Sequence, residues 1–381
     1  MSMNKMFKKV LAVVAAGAMT MGMAMPTFAA DEGKTTEAWI TKTYNTEVGK
    51  AESFSFTATQ KTGDGLISTT ADVKMPTISF TADQTGTNSE RGQITFPKYP
   101  EAGKYEYTVT ETQTVNPAVV NDEHKKMIMS NAEYTMDVYV TDGATGTEIS
   151  NIVVNKVKDD AGQTDTGKVD IGNTDTNKFN FTNTYVQEAG TGTKPTDPDP
   201  TYNENGSLKV SKAVVNANGT TTTPDAEFEF TATFAFPTGT NASTLGGIKA
   251  ANGDTVTSVE GGTYTFKLKA NENMKFTGVP VGTTITVKES AAKNYKGSAE
   301  ITINGTKLTP VAATSYNTEL TAVNNNEKLG QKQNTVAVTN TYNDVPVTGI
   351  IMNTLPYVLM IALCGVALIA FVGFKRRRLQ K

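Results

Sequence analysis

From residue 31 to residue 344, apolar and polar residues mostly alternate over short runs. The clearest are ESFSFTAT at 52–59, KYEYTVTE at 104–111, EYTMDVYVTD at 133–142 and KFNFTNTY at 178–185. Alternation with a period of two is the pattern of a half-buried strand. Turns rich in Gly, Asn and Asp separate the runs, and almost no stretch keeps helical spacing, so the pattern predicts antiparallel sandwiches. Residues 188–206, EAGTGTKPTDPDPTYNENG, have no apolar period and hold three prolines. That composition predicts a short, fairly stiff linker over 189–205, dividing the chain into domains at 31–188 and 206–344.

The two halves repeat one another. Each opens on a lysine-bearing strand (AWITKTYN; SLKVSKAV) and continues with a Phe-alternating strand (ESFSFTAT; AEFEFTAT). Each then has a strand that follows a glycine turn and ends in Glu (AGKYEYTVTE; VGTTITVKE), and each closes on an asparagine strand (FNFTNTY; VAVTNTY). Two copies of one all-β domain type follow.

Strand parity asks which polar residues share the apolar face. In the first half Lys42 aligns with Ala38, Ile40 and Tyr44, Glu111 with Tyr105, Tyr107 and Val109, and Asn183 with Phe179, Phe181 and Tyr185. In the second half Lys212 aligns with Leu208, Val210 and Val214, Glu289 with Ile285 and Val287, and Asn340 with Val336, Val338 and Tyr342. The same parity sends Glu106, Lys209 and Lys288 to the opposite, wet face. Each half therefore buries one Lys, one Glu and one Asn, groups that are costly to leave unpaired in an apolar interior. A buried ion pair satisfied by an amide would account for one half. Recurrence in both, in the same order and parity, favours chemistry. Burial lowers a lysine's pKa and raises a carboxylic acid's, so a neutral amine can attack the asparagine amide. The acid would hydrogen-bond and polarise the amide carbonyl and shuttle protons, releasing ammonia and leaving an intramolecular isopeptide bond. This is one-turnover self-modification, not an enzyme's reaction.

The ends of the chain change the picture from domain to address. Lys5, Lys8 and Lys9 precede an apolar run from Val10 to about Pro26 and the small residues Ala29 and Ala30, the form of a signal peptide over 1–30, cleaved after Ala29 or Ala30. Near the other end, about 20 residues from Leu355 to Phe374 are apolar enough to span a bilayer, and Lys375, Arg376, Arg377 and Arg378 follow. Val345-Pro346-Val347-Thr348-Gly349 stands just before that span, with Val345 at the usual leucine position. Pentapeptide, span and basic tail over 345–381 resemble the LPxTG-type sorting signal of Gram-positive surface proteins. The resemblance implies cleavage by a sortase between Thr348 and Gly349, with the membrane a partner only before sorting.

Of 35 basic residues, eight lie in those two ends, which hold no Asp or Glu. The remainder, 27 against 38 acidic residues, carries a net charge of about −11, a poor match for nucleic acid. The one cysteine, Cys364, lies in the apolar tail, so the exported part has no disulfide although export permits one. His124 is the only histidine and has no cysteine or second histidine beside it, and acidic stretches such as DPDP at 197–200 lack calcium-loop spacing. No metal or other cofactor is expected, and no nucleophile elbow or phosphate loop supports a secreted hydrolase.

Lysine start, YTVTE middle and TNTY end, in that order, resemble the isopeptide-containing domains of Gram-positive pilins, in particular two-domain major pilins of streptococci. FTGVPVGTTITVKE at 276–289 also resembles the B-type repeats of collagen adhesins. The resemblance implies two tandem immunoglobulin-like (Cna-type) β-sandwiches, each closed between first and last strands: Lys42–Asn183 with Glu111 as catalyst, and Lys212–Asn340 with Glu289. It implies a pilus shaft on the cell surface, polymerised head to tail by a pilin-class sortase. Other copies of the chain, cell-wall peptidoglycan and minor or tip pilins are the implied partners. The lysine that accepts a neighbour's Thr348 is implied just upstream of Asn183, which selects Lys178. Lys98 in TFPKYPEAG ranks second, and Lys194 in the linker is a further alternative. The competing reading is a singly anchored wall adhesin that presents the same domains to a host ligand.

Overall fold

The computed structural model describes residues 35–193 and 200–343. The expected signal peptide, Lys194 and the expected sorting signal with Val345, Pro346, Thr348 and Gly349 lie outside the described residues. Among those described, no helix is long and apolar enough to cross a membrane.

The first domain opens with β1 (Trp39–Thr46), β2 (Glu52–Lys61), β3 (Thr77–Phe80) and β4 (Gly86–Gln93). It continues through β5 (Gly103–Glu111), β6 (Lys125–Ile128), β7 (Glu133–Gly143), β8 (Gly146–Lys158) and β9 (Thr164–Val169) to β10 (Asn180–Gln187). A sheet ordered β4-β1-β10-β6 packs on one ordered β3-β2-β5-β7-β8-β9. Ile40, Tyr44 and Phe181 from the first meet Phe54, Tyr105 and Tyr134 from the second in one core. Alternation does what the sequence pattern requires: along β5, Tyr105, Tyr107, Val109 and Glu111 are buried, and the residues between them are half-buried.

A single-turn helix, α1 (Tyr202–Asn205), precedes the second domain. This domain comprises β11 (Leu208–Val215), β12 (Phe228–Ala235), β13 (Ile248–Asn252), β14 (Thr255–Val259), β15 (Thr263–Leu268) and β16 (Asn273–Thr277). It closes with β17 (Thr284–Glu289), β18 (Tyr295–Ile303), the short β19 (Thr306–Lys307) and β20 (Val311–Ala312), β21 (Leu320–Lys328) and β22 (Thr335–Tyr342). Its sheets are ordered β15-β12-β17-β21 and β14-β13-β16-β11-β22-β18-β19, with β20 beside β18. The expected all-β fold of two tandem sandwiches is observed. In each domain the first and last strands are parallel neighbours, β1 with β10 and β11 with β22, whereas the other strand pairs are antiparallel. Of the residues expected inward, Tyr342 alone is exposed: it shares the phase of Asn340, but β22 there runs past the core onto Tyr295.

The stretch after β10 is held to the second domain. Ala189 and Gly190 donate main-chain hydrogen bonds to Val279 and Gly330, and Val281 donates to Gln187. Glu188 is buried among partners from both sides. Its Oε1 accepts hydrogen bonds from Tyr202 (2.6 Å), Ser207 (2.7 Å) and the Gly278 N–H, and its Oε2 lies 2.7 Å from His124 Nδ1 of the first domain. Gly278 presents that N–H from a left-handed conformation, φ +78°, where a Cβ would strike the Gly247 carbonyl. The single histidine thus has an assigned structural place, against a carboxylate that ties the domains together.

Candidate cross-linking sites

Lys42 and Asn183 lie two residues out of register across the parallel pair, Lys42 opposite Phe181 and Tyr44 opposite Asn183. Equal parity turns both side chains to the same face, and the long lysine stem spans the diagonal. The facing sheet supplies Glu111 from the last position of β5. Lys42 Nζ is 2.9 Å from Glu111 Oε1, and both side chains are 0% exposed. The same Oε1 accepts a hydrogen bond from Asn183 Nδ2 at 2.9 Å. One carboxyl oxygen therefore touches both the amine and the amide nitrogen. The Phe54 ring closes the space above the amine, 4.5 Å from Nζ.

The second domain repeats the arrangement. Lys212 stands opposite Val338, and Val214 opposite Asn340. Lys212 Nζ is 2.8 Å from Glu289 Oε1, which accepts from Asn340 Nδ2 at 2.8 Å. Phe228 lies 4.3 Å from the amine, and Phe230 lies 5.8 Å away. All six residues are buried.

Desolvation dominates the electrostatics of both sites. It lowers each lysine to about 8, the nearby glutamate opposing but not cancelling the effect. It also raises Glu111 and Glu289 above the usual carboxylate range, against the pull of Lys42 and Lys212 and of the amide hydrogen bonds. A neutral amine beside a protonated acid is therefore an accessible state of each pair, needing only a proton to cross a hydrogen-bond distance. Neither lysine nitrogen makes a well-aligned hydrogen bond despite its short approach to the acid, and Glu111 Oε2 is unpartnered.

One expectation needs correction. The acid was expected to bond the asparagine carbonyl, but it meets the amide nitrogen. In the first domain the reason is plain: Ser130 N–H, a donor, lies 2.7 Å from Asn183 Oδ1, which fixes the oxygen on that side and turns Nδ2 toward Glu111. The acid is thus set to protonate the leaving nitrogen, not to polarise the carbonyl. Sequence reading could not find Ser130, because its contribution is a main-chain N–H that any residue but proline would offer.

Of the three candidate acceptor lysines, two lie within the described residues. Lys178 is exposed just before β10, its main-chain N–H bonded to the Asp170 carbonyl. β1 and β10 run in parallel from that end toward the domain junction, and β11 and β22 run in parallel from the junction to Tyr342. Lys178 and Tyr342, the last residue of β22, therefore sit at opposite ends of the described residues. Lys98 is exposed beside the turn between β7 and β8, where Thr147 bonds the carbonyl of its neighbour Tyr99.

Comparison with known proteins assigns the two domains separately. Residues 206–342 match a domain of unknown function, DUF7601. Among solved structures, the chain is similar to the major pilin protein T3.2 of Streptococcus pyogenes, with 21% identity over 82% of this chain and 99% of that one, TM-score 0.31. A second Streptococcus pyogenes major pilin gives 18% identity over 80% and 98%, TM-score 0.30. A Mobiluncus mulieris adhesin described as containing disulfide, isopeptide and ester cross-links gives 15% identity over 83% and 94%, TM-score 0.24. No curated protein matches. Residues 38–186 match the family described as the Spy0128-like isopeptide containing domain, so the resemblance read from the Lys, Glu and Asn strands is borne out over the first domain.

Proposed function

We propose that the chain is a shaft subunit of a covalent surface pilus, with each of its domains locked by a self-formed Lys–Asn isopeptide bond. The observation that carries the reading is the doubled triad: twice, one buried carboxyl oxygen lies within 2.9 Å of both a lysine amine and an asparagine amide nitrogen. In the first domain Lys42 Nζ attacks Asn183 Cγ, the new C–N bond forms and the bond to Nδ2 breaks. Glu111 takes a proton from the amine and delivers one to Nδ2, which leaves as ammonia. Glu289 does the same for Lys212 and Asn340. Water exclusion and fixed proximity supply the rate that a free amine and amide lack. The chain performs this on itself once per domain and is not an enzyme.

The purpose is mechanical. Each bond would join the first and last strands, which are parallel neighbours, so a pull along the chain enters and leaves each sandwich beside a covalent tie. Between the ties, main-chain bonds from 187–190 and the buried Glu188 hold one domain to the next. Assembly is proposed to run through a sortase, with cleavage after Thr348 and transfer to Lys178 of the next copy, the fibre ending on peptidoglycan. The placement of Lys178 at the end opposite Tyr342, where β22 ends, suits a head-to-tail fibre; Lys98 stands second.

The intact mass of the exported chain tests the first half of this reading: it should be two ammonia molecules short. A full mass would overturn it. Co-expression with the cognate sortase tests the second. An SDS-resistant ladder should appear and should vanish in Lys178→Ala. A ladder surviving that substitution removes Lys178 as acceptor, and a monomer alone returns the protein to the class of singly anchored adhesins.

A further inference from the structure

The acid accounts for the protons of the cross-linking reaction but leaves the charge on oxygen unattended. When Lys42 Nζ adds to Cγ, the carbonyl electrons move to Asn183 Oδ1, which must carry a negative charge until ammonia departs. In the first domain that oxygen already has a donor, the Ser130 N–H at 2.7 Å, within the range for an oxyanion contact. Ser130 is 1% exposed, so water does not compete.

The donor is held by a small hydrogen-bond net. Ser130 Oγ donates to Asp160 Oδ1 at 2.6 Å, and the same oxygen accepts the Thr182 N–H at 2.8 Å, next to Asn183. The Asn131 N–H bonds the Asp160 carbonyl at 3.0 Å. Gln113 Nε2 reaches the Ser130 carbonyl at 2.9 Å and the Glu111 carbonyl at 3.3 Å, tying the donor loop to the strand of the acid. Asp160 thus links the loop of the oxyanion donor to the strand of the electrophile, and Gln113 links that loop to the acid.

We propose that the Ser130 main-chain N–H is the oxyanion donor of the first-domain cross-link, and that Asp160 and Gln113 are positioning residues that hold it on Asn183. The assignment rests on the isopeptide reading above. Burial is the main reason Glu111 is raised, and the Asp160 charge pushes it the same way, helping to keep the acid protonated. The second domain has no counterpart: Asn340 Oδ1 is buried without a hydrogen-bond partner.

The test follows bond formation in the full exported chain during cell-free synthesis, by the mass of the peptides that carry Lys42–Asn183 and Lys212–Asn340. The second-domain bond in the same molecule serves as a clock. Asp160→Ala should slow the first bond at least about tenfold relative to the second. Asp160→Asn, which keeps an acceptor for both Ser130 and Thr182, should restore most of the rate. A purely structural role for Asp160 would not give that selective loss and rescue. Should Asp160→Ala fail to fold, Ser130→Ala keeps the N–H, loses the tie to Asp160 and the acceptor of the Ala132 N–H, and should give a smaller slowing. An unchanged ratio of first to second bond in the variant that folds overturns the proposal. A wild-type chain with no ammonia deficit in the first domain overturns the isopeptide reading itself, and is distinguished by being visible before any substitution is made.

Discussion

The two cross-linking sites hold the same lysine, acid, amide and aromatic lid, yet they treat the asparagine carbonyl differently, and the cause is the length of one neighbouring strand. In the first domain β10 pairs on that side with β6, whose ladder spans only Thr184–Gln187 and stops one residue short of Asn183. The chain then leaves the sheet, and the Ser130 N–H is free to meet a side chain. In the second domain β18 runs beside β22 from Tyr295 to Thr302, with Gly297 directly opposite Asn340. The main chain there is committed to the ladder, and the Asn340 carbonyl receives nothing. A shared triad therefore sits in two environments: in one the asparagine oxygen accepts a main-chain N–H, in the other it accepts nothing.

Removing the electrophiles should give the largest effect and expose the difference. The loops that the proposed bonds would close are similar, 141 residues from Lys42 to Asn183 and 128 from Lys212 to Asn340 by subtraction. The chain-entropy model gives each closure roughly 5 kcal/mol. Asn183→Ala also strips the buried Ser130 N–H of its acceptor, a further cost of about 1–3 kcal/mol, whereas Asn340→Ala orphans no such donor. The first-domain variant should therefore lose more stability than the second. Trp39, the only tryptophan and located on β1, allows the first domain to be followed by fluorescence during denaturant unfolding, with calorimetry reporting both. Equal costs, or the reverse order, would break the comparison.

How much of this was legible in the sequence depends on whether side chains or main chain carry the effect. Parity placed Lys42, Glu111, Asn183 and their second-domain equivalents inward, because a strand fixes the face of every second residue whatever it pairs with. The repeat of FTNTY as VTNTY, and of TVTE as TVKE, marked the last strand and the acid's strand in both halves. Pairing itself was not legible: nothing in KKMI at 125–128 says that β6 ends before Asn183, while YKGSAEITI at 295–303 continues past Asn340. Asp160 reads as an ordinary turn residue until the fold brings it to Thr182. Glu188 reads as no more than the last residue before a linker, because its partners, His124, Ser207 and Gly278, are far apart along the chain.

Titration offers a control that should not separate the domains. Both lysines stand at about 8 against an ordinary 10.5, for the same first cause. In a chain carrying Asn183→Ala and Asn340→Ala, the amines stay free. Between pH 8 and 10.5 the unfolded chain then binds more protons than the folded one, so stability rises with pH, by up to about 3 kcal/mol per domain. The raised acids act oppositely, making the unlinked chain lose stability as pH climbs above the ordinary carboxylate value of 4.5. A wild type that carries both proposed bonds would have no lysine left to titrate in either core, and its unfolding should lack the alkaline rise. A matching rise in the wild type would mean the amines are free; a rise in one domain only would show that the sites differ in burial and not at the carbonyl alone.

The smallest expected effect is the most local. A Cβ added at Gly297 would stand 3.1 Å from Asn340 Oδ1, from Glu289 Oε2 and from the Leu320 side chain. Gly297→Ala therefore presses the electrophile and the acid without removing either, and it leaves the first domain untouched. Gly in a strand interior is itself destabilising by roughly 0.5–1 kcal/mol relative to Ala, so the substitution gains backbone stability while it crowds the reacting groups. That opposition makes the outcome readable. The second bond should form several-fold more slowly during synthesis, because small displacements of reacting groups cost large factors in rate. The first bond should keep its pace, and thermal unfolding should fall little. A second bond as fast as in the wild type would show that the Asn340 carbonyl has room to move aside, and that its lack of a hydrogen-bond partner reflects a looser pocket and not a ladder that leaves no donor free.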